Sequence, residues 1–163
     1  MTADSAMVYL QRIVSGGQTG ADRAALDWAL GANIEHGGWC PRGRLAEDGT
    51  IPRRYRLQET PSNDYALRTE WNVRDSDATV MLSLHDAVAG GTELTRKLAL
   101  AYRKPCLHVH ADMGVQVAAA RLRDFVLKHG VNVLNVAGPR ASEAPGIEQF
   151  VAEVLDTAFP RYG

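Results

Sequence analysis

Asp77-Ala-Thr-Val-Met-Leu-Ser-Leu84 is the stretch whose reading decides the fold. Between Ala78 and Leu82 only Thr79 is polar, and a near-continuous apolar run of this length belongs to a strand covered on both faces, as in a parallel sheet between two layers of helix. Parallel neighbours need a long crossover, usually helical. Thr92 to Arg103 supplies one directly downstream, with Leu94, Leu98 and Ala101 as its expected inward stripe. The same unit recurs three times. Arg12 to Ser15 ends a short strand, and Gly20 to Leu30 follows as a helix with Ala21, Ala24, Ala25 and Trp28 on one face. Pro105 to His110 precedes a helix over Val115 to His129 with Val115, Ala118, Ala119, Leu122 and Val126 inward. Val131 to Ala137 precedes a helix over Gly146 to Phe159 with Ile147, Phe150, Val151, Val154 and Leu155 inward. Ile34 to Ser76 is less regular, with a strand at Tyr55 to Glu59 and a helix opened by Ser62 or Asn63 and running through Trp71. These alternations predict a Rossmann-like α/β fold, doubly wound, with a mainly parallel sheet and helices on both faces.

The 163 residues are the size of one domain and can bury an ordinary core, with residues 1–8 read as a flexible N-terminal tail. With 45% hydrophobic and 23% charged residues, the composition is that of a globular chain. A formal net charge of -1, from 18 basic against 19 acidic residues, argues against a general nucleic-acid binder, which needs a clear positive excess. No run of apolar residues is long enough to span a membrane, and Met1 to Leu10 lacks the pattern of a secretion signal, so a cytoplasmic location is expected. Cys40 and Cys106 are too few and too far apart for a zinc motif or a disulfide framework.

In open parallel sheets, ligands bind outside the carboxyl ends of the strands, so the loops that follow them carry the chemistry. After the first strand comes Ser15-Gly-Gly-Gln-Thr-Gly-Ala-Asp22, which puts Gly16, Gly17 and Gly20 together with Gln18, Thr19 and Asp22 at a helix start. Glycines let backbone approach an anion, and the free N–H groups of a first helical turn attract it. The spacing fits neither a P-loop nor the dinucleotide fingerprint. After the central strand, Ala89-Gly90-Gly91-Thr92-Glu93 repeats the arrangement. Two helix N-termini beside one crevice give roughly one unit of positive partial charge, which favours an anionic ligand. Taken alone, the second turn reads equally well as a helix capped by Thr92.

Three further segments contribute candidates. Arg42, Arg44, Arg53, Arg54 and Arg56 place five guanidiniums within 15 residues, some expected to face the ligand and the rest to pair with Glu47, Asp48 and Glu59 in solvent. Tyr65, Arg68, Thr69 and Asn72 form one polar stripe on their helix, which either meets solvent or lines a pocket. Asn135-Val-Ala-Gly-Pro-Arg140 ends the last strand with Asn135, Gly138 and Arg140 at the same sheet edge. His108 and His110 share a strand face at a spacing that could chelate a metal, though no third ligand is placed by any motif. Cys40, before Pro41 and beside arginines, reads either as an activated thiol or as a small apolar filler.

Several ordered stretches together resemble the family named "putative molybdenum carrier protein": Ser15 to Asp27, Gly38-Trp-Cys-Pro-Arg-Gly-Arg44, Ala46-Glu-Asp-Gly49, Arg68-Thr with Asn72-Val, Gly90-Gly-Thr-Glu-Leu-Thr95 and Asn135 to Arg140. The likeness runs from about Ile13 to Phe159. It implies a Rossmann-like, oligomerising protein that binds and protects the molybdenum cofactor, a pterin (molybdopterin) bearing a phosphate monoester, or molybdate itself. Molybdoenzymes or cofactor-synthesis proteins would be its partners. The matching positions add Arg23, Pro41 and Glu93 to the expected ligand-binding set of Gly16, Gly17, Gln18, Thr19, Gly20, Asp22, Arg42, Arg44, Arg68, Asn72, Gly90, Gly91, Thr92, Asn135, Gly138 and Arg140. The fold is also similar to that of the cytokinin-activating phosphoribohydrolases, but their longer Gly-Gly-x-Gly-Thr-x-x-Glu stretch is incomplete here. A carrier without turnover is therefore the first expectation. A nucleoside monophosphate hydrolase using Glu93 or Asp22, or a nucleotide-binding regulatory domain, is the alternative.

Overall fold

The computed structural model describes residues 9–87 and 90–160; the tail expected at 1–8, and Ala89 of the second glycine turn, lie outside them. The main sheet has five strands, all parallel, in the order β2-β1-β9-β7-β8. In chain order β1 is Arg12–Val14, β2 Glu35–Gly37, β7 Ala78–Ser83, β8 Cys106–His110 and β9 Val133–Ala137. Two minor pairs lie between β2 and β7. Parallel β3 (Trp39–Cys40) and β6 (Gln58–Glu59) make one, and the hairpin of β4 (Leu45–Ala46) and β5 (Gly49–Thr50) makes the other.

Helix α1 (Ala21–Ala32) carries the chain outward from β1 to β2, and α3 (Gly91–Ala101) carries it the opposite way from β7 to β8. Right-handed crossovers that run in opposite directions must cover opposite faces of the sheet. Accordingly α1 packs with α5 (Ile147–Ala158), which also meets α4 (Val115–His129), while α3 packs with α2 (Tyr65–Arg74). All six residues of β7 are buried, as a strand covered on both sides requires. The expected inward stripes of α1 and α5 are buried throughout, and that of α4 is buried from Ala118 onward. No helix of the described residues is long and apolar enough to cross a membrane.

Three local expectations are corrected. On α3 the buried residues are Thr95 and Ala99, while Leu94 and Leu98 are half-buried and Ala101 is exposed. The small side chains face inward. Helix α2 is capped neither by Ser62 nor by Asn63 but by Asp64, whose carboxylate accepts the Ala66 amide at 2.9 Å. The strand expected at Tyr55 to Glu59 is reduced to Gln58–Glu59, because Tyr55 and Ile51 turn into a second small core with Leu26, Cys40 and Ala46.

Candidate functional site

Strands β1, β9 and β7 are neighbours and parallel, so the loops leaving their carboxyl ends meet at one edge of the sheet. Helices α1 and α3 diverge there to opposite faces, which is the position where doubly wound sheets open a crevice. It has two adjoining chambers, of about 60 Å³ and about 790 Å³. The two glycine turns converge on it. Asp22, Arg68, Gly91, Thr92 and Gly138 line both chambers. Gly16, Asn72 and Asn135 line the inner one; Gln18, Gly90 and Arg140 line the outer one. The larger volume falls in the range of roughly 300–1,000 Å³ usual for small-molecule sites.

The two turns are built differently. In the first, the protein answers its own amides: Gln18 N–H donates to Asp22 Oδ2 (3.2 Å), Thr19 N–H to Gln18 Oε1 (3.0 Å) and Ala21 N–H to Pro139 O (3.2 Å). A Cβ on Gly16 would strike the Arg68 side chain, and one on Gly20 the backbone of residues 139–141. These glycines serve internal packing, and the phosphate cradle expected here is not an open row of N–H groups. In the second turn Gly90 takes a φ of 56°, no side chain of the described residues caps α3, and a Cβ on Gly90 or Gly91 meets no described atom within 4 Å. Thr92 is thus not the cap. The first residues of α3, Gly91 and Thr92, line both chambers.

Gln18 contributes a side chain instead of an amide row. It is only 5% exposed, and its Oε1 accepts both Thr19 N–H and Glu47 N–H (2.8 Å), which fixes the amide oxygen. Its Nε2 is then the end left without a partner among the described residues. A buried donor without an acceptor is costly, and a ligand acceptor would relieve it.

Three members of the polar stripe of α2, Arg68, Thr69 and Asn72, line the crevice, and Tyr65 does not. Arg68 Nη1 donates to Gly16 O at 3.0 Å and lies 3.7 Å from Asp22 Oδ2. The Tyr65 ring meets the guanidiniums of Arg68 (5.1 Å from the ring centre) and Arg140 (5.6 Å), while Arg140 Nε is 3.3 Å from Glu143. Burial pushes the Asp22 carboxyl above its ordinary range, against the opposing pull of Arg68 and the backbone amides it accepts. Asn72 is engaged at both ends, accepting Trp39 N–H and donating to Trp39 O, and Asn135 donates to Thr79.

The remaining expected residues do not line either chamber. Arg23 donates to Gly17 O and pairs with Asp48 at 2.5 and 2.7 Å. The Thr19 and Ser142 hydroxyls donate to Glu47, and that holds the β4–β5 hairpin against the first and last loops. None of the five clustered arginines faces the crevice: Arg44 is turned inward onto the carbonyls of Ile51, Pro52 and Tyr55, Arg54 stacks on Tyr55, and Arg42, Arg53 and Arg56 are exposed. Pro41 is buried, and Glu93 lies 3.9 Å from Arg96. Cys40 is wholly buried and its thiol is pushed up by desolvation, so it is the apolar filler. His108 Nε2 meets Ser83 Oγ at 2.7 Å and His110 Nε2 lies 3.6 Å from Asp86; among the described residues no three His, Cys, Asp or Glu are placed to hold a metal. Ser83, Leu84, His85 and the segment 143–145 also line the outer chamber and were not singled out by sequence. They end β7 or follow β7 and β9, so position relative to the strand ends was the signal available.

The comparisons agree with the motif resemblance. A family model described as circularly permutated YpsA SLOG family matches residues 13–159. The chain is similar, at 47% identity and a TM-score of 0.90, to the crystal structure of a protein named "putative molybdenum carrier protein" from Syntrophus aciditrophicus SB, over 93% of this chain and 96% of that one. No curated protein matches the chain.

Proposed function

Since the chain belongs to the circularly permutated YpsA SLOG family, we propose that its sheet-edge crevice is the site of a carrier that holds an anionic, phosphate-bearing cofactor without turnover. The ligand is the molybdenum cofactor, or molybdate itself. One observation carries this reading: the N-terminus of α3 and Gln18, whose Nε2 has no partner among the described residues, border one cavity of about 790 Å³, with Arg68 and Arg140 on its walls. The name of the similar structure from Syntrophus aciditrophicus supports the choice of cargo.

The residues present fit the phosphate end of such a group, because backbone N–H, amide and guanidinium donors are those that bind oxyanions. When bound, the cofactor would itself supply a dithiolene-held oxo-molybdenum centre. Enclosure by the chain would keep water and oxidant from it. The working unit is a single-domain cytoplasmic protein, homo-oligomeric, that exchanges cargo with molybdoenzymes or cofactor-synthesis proteins.

The test is anaerobic. Purified protein mixed with released cofactor should lengthen the cofactor's lifetime and retain molybdenum and pterin through gel filtration; an unchanged decay with neither retained rules the carrier out. A second reading, hydrolysis of nucleoside monophosphates, draws on Asp22, a buried carboxyl lining both chambers. Incubation with AMP followed by chromatography would then yield free base and ribose phosphate.

A further inference from the structure

The two chambers differ in what they can accept. The inner chamber, at about 60 Å³, is several times the minimum that holds one water and suits a guest as small as one tetrahedral oxyanion. The outer chamber has room for a much larger body. The inner walls carry the free end of α3, Thr92, Asn135, the Arg68 guanidinium and a single carboxyl, Asp22. Arg68 and Asp22 lie 3.7 Å apart and cancel in formal charge, which leaves the helix terminus, roughly half a positive charge, as the net attraction. A doubly charged guest is poorly matched to that.

An ionised carboxylate accepts hydrogen bonds and cannot donate them. An oxyanion beside Asp22 must therefore share a proton with it, or two like-charged oxygens face each other across a buried space. Inorganic phosphate at neutral pH always carries at least one O–H, and a phosphate monoester, largely ionised above its second pKa near 6, takes that proton back at small cost. Sulfate and molybdate at that pH carry none. They are weaker bases than a phosphate monoester and do not take one up there. The other charges close to Asp22 are Arg68 from α2 and Arg23 on its own helix, and neither guanidinium gives up a proton at any relevant pH.

We propose that the inner chamber is a phosphate-selective subsite in which Asp22 accepts a hydrogen bond from the oxyanion's own O–H, so that it takes a proton-bearing phosphate group and discriminates against fully ionised molybdate and sulfate. This rests on the carrier reading and narrows it: the cargo enters phosphate first, and free molybdate is not the ligand. The outer chamber, with the Gln18 amide on its wall, then receives the body attached to that phosphate.

Competition calorimetry at pH 7.5 with inorganic phosphate, sulfate and molybdate tests the subsite. Phosphate should bind at least about tenfold more tightly than the other two, the worth of one charge-assisted hydrogen bond. Asp22→Asn keeps an oxygen for the Gln18 backbone N–H and presents N–H₂ in place of a carboxylate oxygen, so sulfate and molybdate should draw level with phosphate. Arg140→Ala, outside the inner chamber, should weaken all three without changing their ratio. Equal affinities in the parent protein, or an undiminished preference in folded Asp22→Asn, overturn the subsite and leave the carrier standing. Binding of none of the three overturns both. Should the Asn variant fail to fold by circular dichroism, the parent's selectivity alone decides.

Discussion

Gln18 Oε1 accepts the backbone amide of Glu47 at 2.8 Å, joining the loop after β1 to the tip of the β4–β5 hairpin. The same oxygen holds the Thr19 amide, while Glu47 in turn accepts from the Thr19 and Ser142 hydroxyls. One side chain therefore ties a loop that borders the crevice to a hairpin outside it. Gln18→Ala leaves both amides without their acceptor and should cost about 1–3 kcal/mol in urea unfolding. A loss below about 0.5 kcal/mol would show that the clasp does not contribute.

Arg44 and Arg140 should separate structure from binding. Arg44 donates to Ile51 O (3.2 Å), Pro52 O (2.9 Å) and Tyr55 O (2.8 Å), holding the turn that buries Ile51 and Tyr55. Arg44→Ala should destabilise by about 2–3 kcal/mol. Arg140, about a third exposed at the outer chamber, should when replaced by Ala weaken anion binding while unfolding stability stays within about 0.5 kcal/mol. Calorimetry and urea titration on the same two variants check both halves.

Asp22 gives a pH dependence with a definite sign. Burial raises its folded pKa above 3.8, so the folded chain holds this proton more tightly than the unfolded one. That contribution is fully present below about pH 3.8 and is lost as pH rises through the folded value. Asp22→Asn suffers no such loss. The stability of the variant relative to the parent should accordingly improve between pH 4 and pH 7, measured by thermal unfolding at each pH, and a difference that is flat or moves the other way contradicts the burial argument.

Neither thiol should react in the folded protein. Burial pushes Cys106 up to about 11, and Cys40, wholly enclosed, is raised for the same reason. At pH 8 the Cys106 thiolate is about one part in a thousand. Iodoacetamide should leave both unmodified in buffer and label both in urea, read by mass spectrometry; labelling of native Cys106 at the rate of a free thiol counts against it.

The parts of the fold legible in sequence were those with long-range apolar period. The six buried residues of β7 and the stripes of α1, α4 and α5 announce themselves because burial on one or both faces leaves no choice of residue. Strand β2, with Glu35, His36 and Gly37, carries no such pattern, since it is a three-residue edge placed by pairing with β1. Helix α3 misled for a related reason: Thr95 and Ala99 point inward while the leucines sit at the margins. At the site, the loop positions followed from the strand-end rule and the α2 stripe from its spacing, though spacing left open whether it faced solvent. The fate of the arginines and of the first-turn amides depended on contacts with residues far along the chain, such as Pro139 and Glu47, which no local motif encodes.

The contrast between the two glycine turns bears on how this scaffold can be redesigned. Loop 15–20 is interlocked with three other segments, so exchanging its residues would disturb the foundation. Around Gly90 and Gly91 nothing described crowds the backbone, and new side chains could be grafted there to retune affinity for a different guest while the sheet beneath stays as it is.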